Sequence, residues 1–414
     1  MKHAMQTFAV FLAIGQCVSA AVRPNNPVAK KAIEAALRDA AGKPEGNLTK
    51  ADRQKIFRIG LAGKQISDLT PLIELPNLQQ LWLHNNRLQD LGPLAKLKNL
   101  ESLYLDHNRV TDLTPLAQCT KLRVLCLDEN RVNDMTPLAN LKQLETLNLW
   151  RTQITDIKAV AGMPALKRLI LHGNKITDLK PLSNLKELRQ LDLSHNQFED
   201  LSPLATLTKL ESLKLYQNKI TDLKPLALLK NLRELNLQNN QINDLKHLAA
   251  LTNLRELHLA NNKITDLKPL ANLKHLRTLD LLGNQITELA PLTELVLLKE
   301  ISLINSPELG FPEIAKLQEA LPKSNIQHNT TRTIIKFINK TKGPLAVRWV
   351  NFGGELETYN EALQPNASYS QSTYVGHQWI LFTAEGKELG RTFATGNPLT
   401  WEVTDAGLKS VPKK

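Results

Sequence analysis

Leucine and other apolar residues recur along most of the chain at a fixed interval of 22 residues. In one representative unit, Leu257 and Leu259 alternate with Glu256, His258 and Ala260. This alternation predicts a short β-strand that points its leucines inward and its other side chains outward. One such turn does not cover its own leucines, so successive turns must stack to bury them in a continuous column.

A polar residue follows each predicted strand in the same register, and in most turns it is asparagine. Thr152 takes one of these positions, while Lys64 and Ser306 hold the same phase at the two ends. The interval from 64 to 306 contains eleven repeats, which implies twelve turns. We expect each asparagine amide to bond backbone groups of neighbouring turns that would otherwise be buried without partners. The asparagines are Asn86, Asn108, Asn130, Asn174, Asn196, Asn218, Asn240, Asn262 and Asn284.

An aspartate and a proline recur on the segment that returns from each strand. Asp112 and Asp178 stand four residues after the asparagine position, and a proline follows three residues later. This order predicts a short convex helix whose N-cap is the aspartate and whose first turn contains the proline.

The two ends of an open stack of strands need covers. Residues 24–57 are expected to form an N-terminal helical cap, since Pro27 to Ala41 has helical spacing and Thr49 with Asp52 resembles a second helix start. Residues 311–328 are expected to supply a closing helix and a linker. The repeats themselves are assigned to residues 58–310.

The repeat unit from Leu254 to Leu273 resembles the 22-residue leucine-rich repeat of internalin-like bacterial proteins. The resemblance covers about residues 57–306. It implies an α/β leucine-rich-repeat solenoid, right-handed, with a parallel β-sheet on its concave face.

The outward strand positions form one broad surface on this predicted frame. Four of the five aromatic residues between 64 and 306 fall there. Trp82 and Tyr104 lie on adjacent turns and are the candidate anchor for a protein or peptide, with scattered surface aromatics as the alternative. The candidate residues of this face are Trp82, His84, Tyr104, Asp106, Asp128, Trp150, His172 and Tyr216.

The repeat pattern stops near residue 329, and the composition changes there. Ten of the nineteen aromatic residues lie in the last 86 positions. Short branched or aromatic runs alternate with glycine and proline, which predicts a small all-β sandwich over residues 329–408.

Several residues of this segment stand in the order and at nearly the spacing of a known domain. They are Phe337, Asn339, Trp349, Phe352, Tyr359, Leu363, Pro365, Tyr374, Gly376, His377, Trp379 and Phe382. Over roughly residues 332–404 the segment resembles the β domain of the von Hippel–Lindau tumour suppressor, a β-sandwich that binds a peptide carrying 4-hydroxyproline. The resemblance implies a pocket formed by Trp349, Tyr359, Thr373, His377 and Trp379, with Thr373 where the family has serine.

The residue types suit such a pocket. A hydroxylated pyrrolidine has an apolar ring and one alcohol, so it needs flat aromatic walls with a donor and an acceptor at the rim. Trp349 and Trp379 are the candidate walls, and Thr373 and His377 are the candidate partners of the alcohol. The alternative is that these aromatic residues are only the core of the sandwich.

Charge and leader sequence narrow the function classes. The net charge is +12, but lysine and arginine recur beside files of aspartate, a pattern that favours a solvated surface over a nucleic-acid face.

Residues 1–20 have the charged, apolar and small-residue order of a signal peptide, so we expect a secreted or periplasmic protein without a transmembrane anchor.

Candidate catalytic chemistry is lacking in the sequence. Cys119 is expected on the convex return and Cys126 on the outward face of a strand. Because their side chains would point to different faces, we expect no disulfide between them. The repeats contain no zinc spacing, phosphate loop or nucleophile elbow. We therefore expect a non-enzymatic protein without metal or cofactor, a monomer that binds a protein or a proline- or hydroxyproline-containing peptide. The alternative is an envelope or surface scaffold in which only the solenoid binds and the sandwich is structural.

Overall fold

The computed structural model describes residues 24–306, 309–328, 332–350, 355–374, 377–394 and 398–411. The expected signal peptide at residues 1–20 lies outside these described residues.

Thirteen short strands form one parallel sheet in chain order, so the predicted parallel solenoid sheet is confirmed. The middle residue of each repeat strand points into the core, as Leu257 does, and its neighbours face outward. Consecutive repeat strands pair with a register of 22 residues, as in Leu235 opposite Leu257. The strands are β1 Arg58–Gly60, β2 Gln80–Trp82, β3 Ser102–Tyr104, β4 Val124–Cys126, β5 Thr146–Asn148, β6 Arg168–Ile170, β7 Gln190–Asp192, β8 Ser212–Lys214, β9 Glu234–Asn236, β10 Glu256–His258, β11 Thr278–Asp280, β12 Glu300–Ser302 and β13 Asn325–Gln327.

The asparagine positions connect adjacent turns as expected. Asn262 Nδ2 donates to the carbonyls of Leu237 at 3.0 Å and Leu259 at 2.9 Å, and its Oδ1 accepts from the amide of Ile242 at 3.0 Å. Thr152 is fully buried at the same position and donates to the Leu149 carbonyl at 2.8 Å. The Asn262 amide thus satisfies backbone groups of its own turn and of the preceding turn that water does not reach.

The convex side consists of short 3₁₀-helices, and the predicted role of the aspartates needs a correction. Asp112 Oδ1 accepts from the Thr114 amide at 2.8 Å, two residues on, and the N-cap of that helix is Leu113. The aspartate therefore forms an Asx turn before the helix instead of capping it. The 3₁₀-helices are Thr70–Leu72, Gly92–Lys96, Thr114–Gln118, Thr136–Leu138, Lys158–Gly162, Lys180–Leu182, Ser202–Leu204, Lys224–Leu228, Lys246–Ala250, Lys268–Leu270 and Ala290–Leu292.

Helices lie at both ends of the repeats. They are α1 Pro27–Ala41, α2 Lys50–Arg53 and α3 Phe311–Ala320. Thr49 and Asp52 form a reciprocal capping box at α2, the arrangement that the sequence resembles. The segment after α3 is more than a linker, because β13 pairs in parallel with β12 and extends the sheet. The 22-residue spacing does not reveal this strand, since Gln327 pairs with Ser302 across 25 residues.

The C-terminal segment forms two four-stranded sheets, as predicted. One has the order β17-β14-β20-β21 and the other β16-β15-β18-β19, and β14 with β20 is the parallel pair. Ile335, Phe337, Val347, Leu381 and Val403 pack into their common core. The strands are β14 Arg332–Asn339, β15 Leu345–Val350, β16 Leu356–Leu363, β17 Ser368–Tyr374, β18 Gln378–Thr383, β19 Glu388–Phe393, β20 Leu399–Thr404 and β21 Gly407–Val411.

The two described cysteines are free thiols. Cys126 is half-buried on β4, and Cys119 directly follows the convex 3₁₀-helix Thr114–Gln118, as expected, with its side chain fully buried. Its place is a core position that Leu97 and Leu141 fill in the adjacent turns. Within the described residues, no helix is long and apolar enough to cross a membrane.

Candidate functional site

The five pocket residues expected in the sandwich lie in contact, although they come from both sheets. Trp349 on β15 and Trp379 on β18 face each other across paired strands, and Tyr359 lies on the neighbouring edge strand β16. Thr373 lies on β17, the edge strand of the other sheet, and His377 directly precedes β18. The site therefore spans both sheets, with the two tryptophans on inner strands and Tyr359 and Thr373 on edge strands.

The aromatic rings form a continuous cluster. The ring of Trp349 stacks on the imidazole of His377, with centroids 4.9 Å apart and planes 26° apart. The Tyr359 ring meets Trp349 edge-on at 6.2 Å and Trp379 edge-on at 5.3 Å. These separations are typical of favourable aromatic pairs, so each ring helps to fix the others.

A chain of hydrogen bonds links the polar groups of the cluster. Trp379 Nε1 donates to Thr373 Oγ1 at 3.3 Å, and this hydroxyl lies 2.9 Å from His377 Nδ1. Burial lowers the pKa of His377 to about 4, so the imidazole is neutral at neutral pH. The indole only donates, whereas the hydroxyl both donates and accepts, so the direction of the bond between Thr373 and Nδ1 depends on the imidazole tautomer.

The members of the cluster differ in exposure. Trp379 is 1% exposed, Thr373 4% and Trp349 9%, whereas Tyr359 is 42% exposed and His377 is half-buried. Tyr359 and His377 are therefore the members that meet solvent most directly.

On the concave face, Trp82 and Tyr104 form a stacked pair. Their ring centroids are 5.9 Å apart, with planes 4° apart, and both side chains are partly exposed. His84 follows Trp82 by two residues and accepts the Gly63 amide at its backbone carbonyl, 2.9 Å away. The adjacent strand register brings the two rings together, as expected from the repeat.

A second aromatic group lies further along the sheet. Tyr216 Oη is 3.0 Å from His172 Nδ1, and the edge of Trp150 meets the His172 ring at 5.8 Å. His195, which the sequence analysis did not single out, approaches His172 at 6.0 Å, and Arg151 lies 5.2 Å from the Trp150 ring. Arg151 and His195 occupy the left-handed turn position after their strands, at φ of 52° and 56°, so a search of strand positions alone omits them.

The two predicted aspartates lie between these aromatic groups. Asp128 is 8% exposed and accepts from Asn148 Nδ2 at 2.7 Å. Its burial, together with the nearby Asp106 carboxylate, raises the pKa of Asp128. His107, another residue that sequence reasoning missed, has a ring nitrogen within 4.8 Å of both carboxylates. The concave residues therefore divide into two aromatic groups with an acidic segment between them.

Comparison with known families agrees with both parts of this architecture. The family described as "Leucine Rich repeats (2 copies)" matches residues 58–96, 76–118, 120–162, 164–206, 208–250 and 252–308. The chain belongs to the leucine-rich-repeat proteins. Residues 323–390 match the family described as "VHL beta domain".

Solved structures show the same repeat fold. An internalin of Listeria monocytogenes is 33% identical over 72% of this chain and 89% of its own, with a TM-score of 0.67. A leucine-rich-repeat protein of Leptospira interrogans is 27% identical over 66% and 84%, with a TM-score of 0.51. The functional domain of InlJ from Listeria monocytogenes shares the fold at 18% identity over 88% and 96%, with a TM-score of 0.66. The comparison with curated proteins gives no match.

Together, the two families indicate a protein-binding scaffold. The repeats supply a long rigid frame, and the β domain adds a second module at its C-terminal side.

Proposed function

We propose that this protein is an exported, non-enzymatic adaptor with two recognition surfaces. Its β-sandwich binds a peptide segment that contains proline or hydroxyproline, through Trp349, Tyr359, Thr373, His377 and Trp379. Its concave sheet binds a protein partner through the aromatic groups around Trp82 and His172. The export assignment depends on the leader pattern at residues 1–20.

The observation that carries the proposal is the contact network of the sandwich cluster. Aromatic rings surround a hydroxyl and a neutral imidazole, which is the combination that a hydroxylated pyrrolidine requires. The Tyr359 ring offers accessible apolar surface to the peptide, while Thr373 and His377 offer polar partners to its alcohol.

The hydrogen-bonded arrangement also gives a basis for discrimination. A pocket whose polar groups bond an alcohol loses about 1–3 kcal/mol for each bond that a plain proline leaves unmade. The threonine methyl adds bulk beside the hydroxyl relative to serine.

The test is peptide capture by the full chain and by His377→Ala. We expect His377→Ala to weaken capture of an immobilised hydroxyproline peptide about tenfold or more, because one polar partner and the stacking ring of Trp349 are lost. His275→Ala removes an exposed imidazole from the solenoid and should leave capture unchanged. Equal capture by all three proteins, with the sandwich folded by near-ultraviolet circular dichroism, would reject the pocket.

In a second candidate function, only the solenoid binds a partner and the sandwich does not. Three of the five cluster members are more than nine-tenths buried, and the Thr373 hydroxyl already bonds two side chains of the protein. Such burial is also typical of a core, in which case the sandwich is a structural module of an envelope scaffold. Substitution of Trp82 and Tyr104 by alanine would then abolish partner capture, whereas His377→Ala would not.

A further inference from the structure

The concave surface has a gap at its N-terminal end. Gly60 on β1 holds the register position that Trp82 holds on β2 and Tyr104 on β3. Apart from its chain neighbours, no heavy atom lies within 4 Å of the point where a Gly60 side chain would begin. Tyr104 stacks on Trp82 from one side, and the register position on its other side carries no side chain.

A groove of about 840 Å³ occupies this gap. Helix α1 contributes one wall through Ala36 and Ala40, and β1 with the residue before it contributes Phe57 and Gly60. Phe57 is 51% exposed, and it lines the same groove as the partly exposed Trp82. The volume falls within the range of small-ligand sites, so it accommodates an aromatic side chain.

The charged side chains that line the groove give it a net positive charge. Lys55 and Arg58 contribute two cations, and Asp39 contributes one carboxylate. The groove therefore complements a segment in which an acidic group stands beside an aromatic ring.

We infer that this groove binds an aromatic side chain of a partner protein, flanked by an acidic residue, with the ring inserted over Gly60 against Trp82. The inserted ring continues the stack of Trp82 and Tyr104, and the acidic flank meets Lys55 and Arg58. The inference rests on the proposed use of the concave surface for protein binding, and it adds the location and the chemistry of the anchor.

The test uses indole-3-acetate, a planar ring with one carboxylate, and the isotopically labelled full chain in solution. We expect saturable NMR shifts of the Gly60 amide and the Trp82 indole N–H. Gly60→Leu fills the gap and should weaken binding about tenfold or more. Ser302→Leu places the same side chain at the same register position on β12 and should leave binding unchanged.

The fold is a control within the same experiment. Gly60 has no left-handed backbone angle, and leucine suits an outward strand position better than glycine does, so Gly60→Leu should unfold at the same or a higher temperature. Tryptamine carries the same ring with a cation, and we expect it to bind about tenfold more weakly than indole-3-acetate.

The outcomes separate the parts of the inference. If indole-3-acetate shifts neither the Gly60 amide nor the Trp82 indole signal, the proposed site is wrong. If tryptamine binds as tightly as indole-3-acetate, the proposed preference for an acidic flanking residue is wrong. If Trp82→Ala abolishes binding while Gly60→Leu retains it, the ring stacks elsewhere on the aromatic pair. The groove is then wrong, but the proposed concave binding surface stands. Equal shifts with N-acetylglucosamine would identify a carbohydrate in place of a protein partner.

Discussion

At the residue scale, single side chains decide how well neighbouring turns are joined. An asparagine amide has both a donor and an acceptor, and Asn130 uses them to bond Leu105, Leu127 and Val110. Thr152 has only a hydroxyl, which bonds Leu149 and Asn174. The sequence pattern predicted these bonds because every turn repeats one geometry, so one unit explains the others.

Thr152→Asn should stabilise the solenoid. The new amide would stand where nine other turns carry asparagine and would bond backbone groups of the preceding turn, for a gain of about 1 kcal/mol. Urea denaturation measures the change, with the exposed Thr265→Asn as a neutral control. A lower unfolding midpoint for Thr152→Asn would show that the turn has adapted to threonine.

The stability of the sandwich should depend on pH through His377. Its folded pKa is about 4 against an ordinary 6.5, so the unfolded chain takes up a proton that the folded state excludes. This contribution is complete above pH 6.5 and is lost as the pH falls from 6.5 towards about 4. Urea denaturation followed at the Trp379 indole signal measures the slope. His377→Asn should show a shallower fall, and parallel curves would contradict the burial of a neutral imidazole.

At the element scale, the periodic parts of the molecule were predictable and the interruptions were not. The spacing of leucines indicated the strands β1 to β12, helical spacing indicated α1, and the pair Thr49 and Asp52 indicated the start of α2. Strand β13 was missed because α3 breaks the 22-residue register before it. Cys119 lies on the convex return as expected, and its thiol packs into the core there because it occupies a leucine position.

Strand β13 should protect the end of the sheet. The Leu303 amide donates to the Gln327 carbonyl at 2.7 Å, and Ile326 packs against the solenoid core. Ile326→Asp should detach the strand and speed hydrogen exchange of the Leu303 amide, whereas Asn325→Asp in the same strand should not. Unchanged exchange in both variants would mean that β13 contributes little to this edge.

At the scale of the whole molecule, the sequence predicted which residues meet but not how deeply they lie. The resemblance to the von Hippel–Lindau β domain identified the five members of the sandwich cluster, and the structure places them in contact. Spacing along strands does not determine exposure, because the packing of the two sheets against each other decides it. The same limit applies to the concave face, where turn residues such as Arg151 and His195 join the strand residues.

The charge of the molecule is distributed in pairs across turns. Arg123 and Lys167 both contact Glu145, at 2.7 and 2.6 Å, and Arg189 contacts Glu211 at 2.6 Å. Such exposed pairs contribute little stability each, but they interrupt the positive surface that a net charge of +12 would otherwise give. The described surface therefore favours partners that recognise discrete sites.

The most direct test of the account is calorimetric titration of the full chain with two peptides that differ only by proline or 4-hydroxyproline. The account predicts saturable binding of a proline-containing peptide that is lost in His377→Ala, with the hydroxylated peptide bound more tightly by about tenfold or more. Weak and equal binding of both peptides, unaffected by His377→Ala, would contradict it.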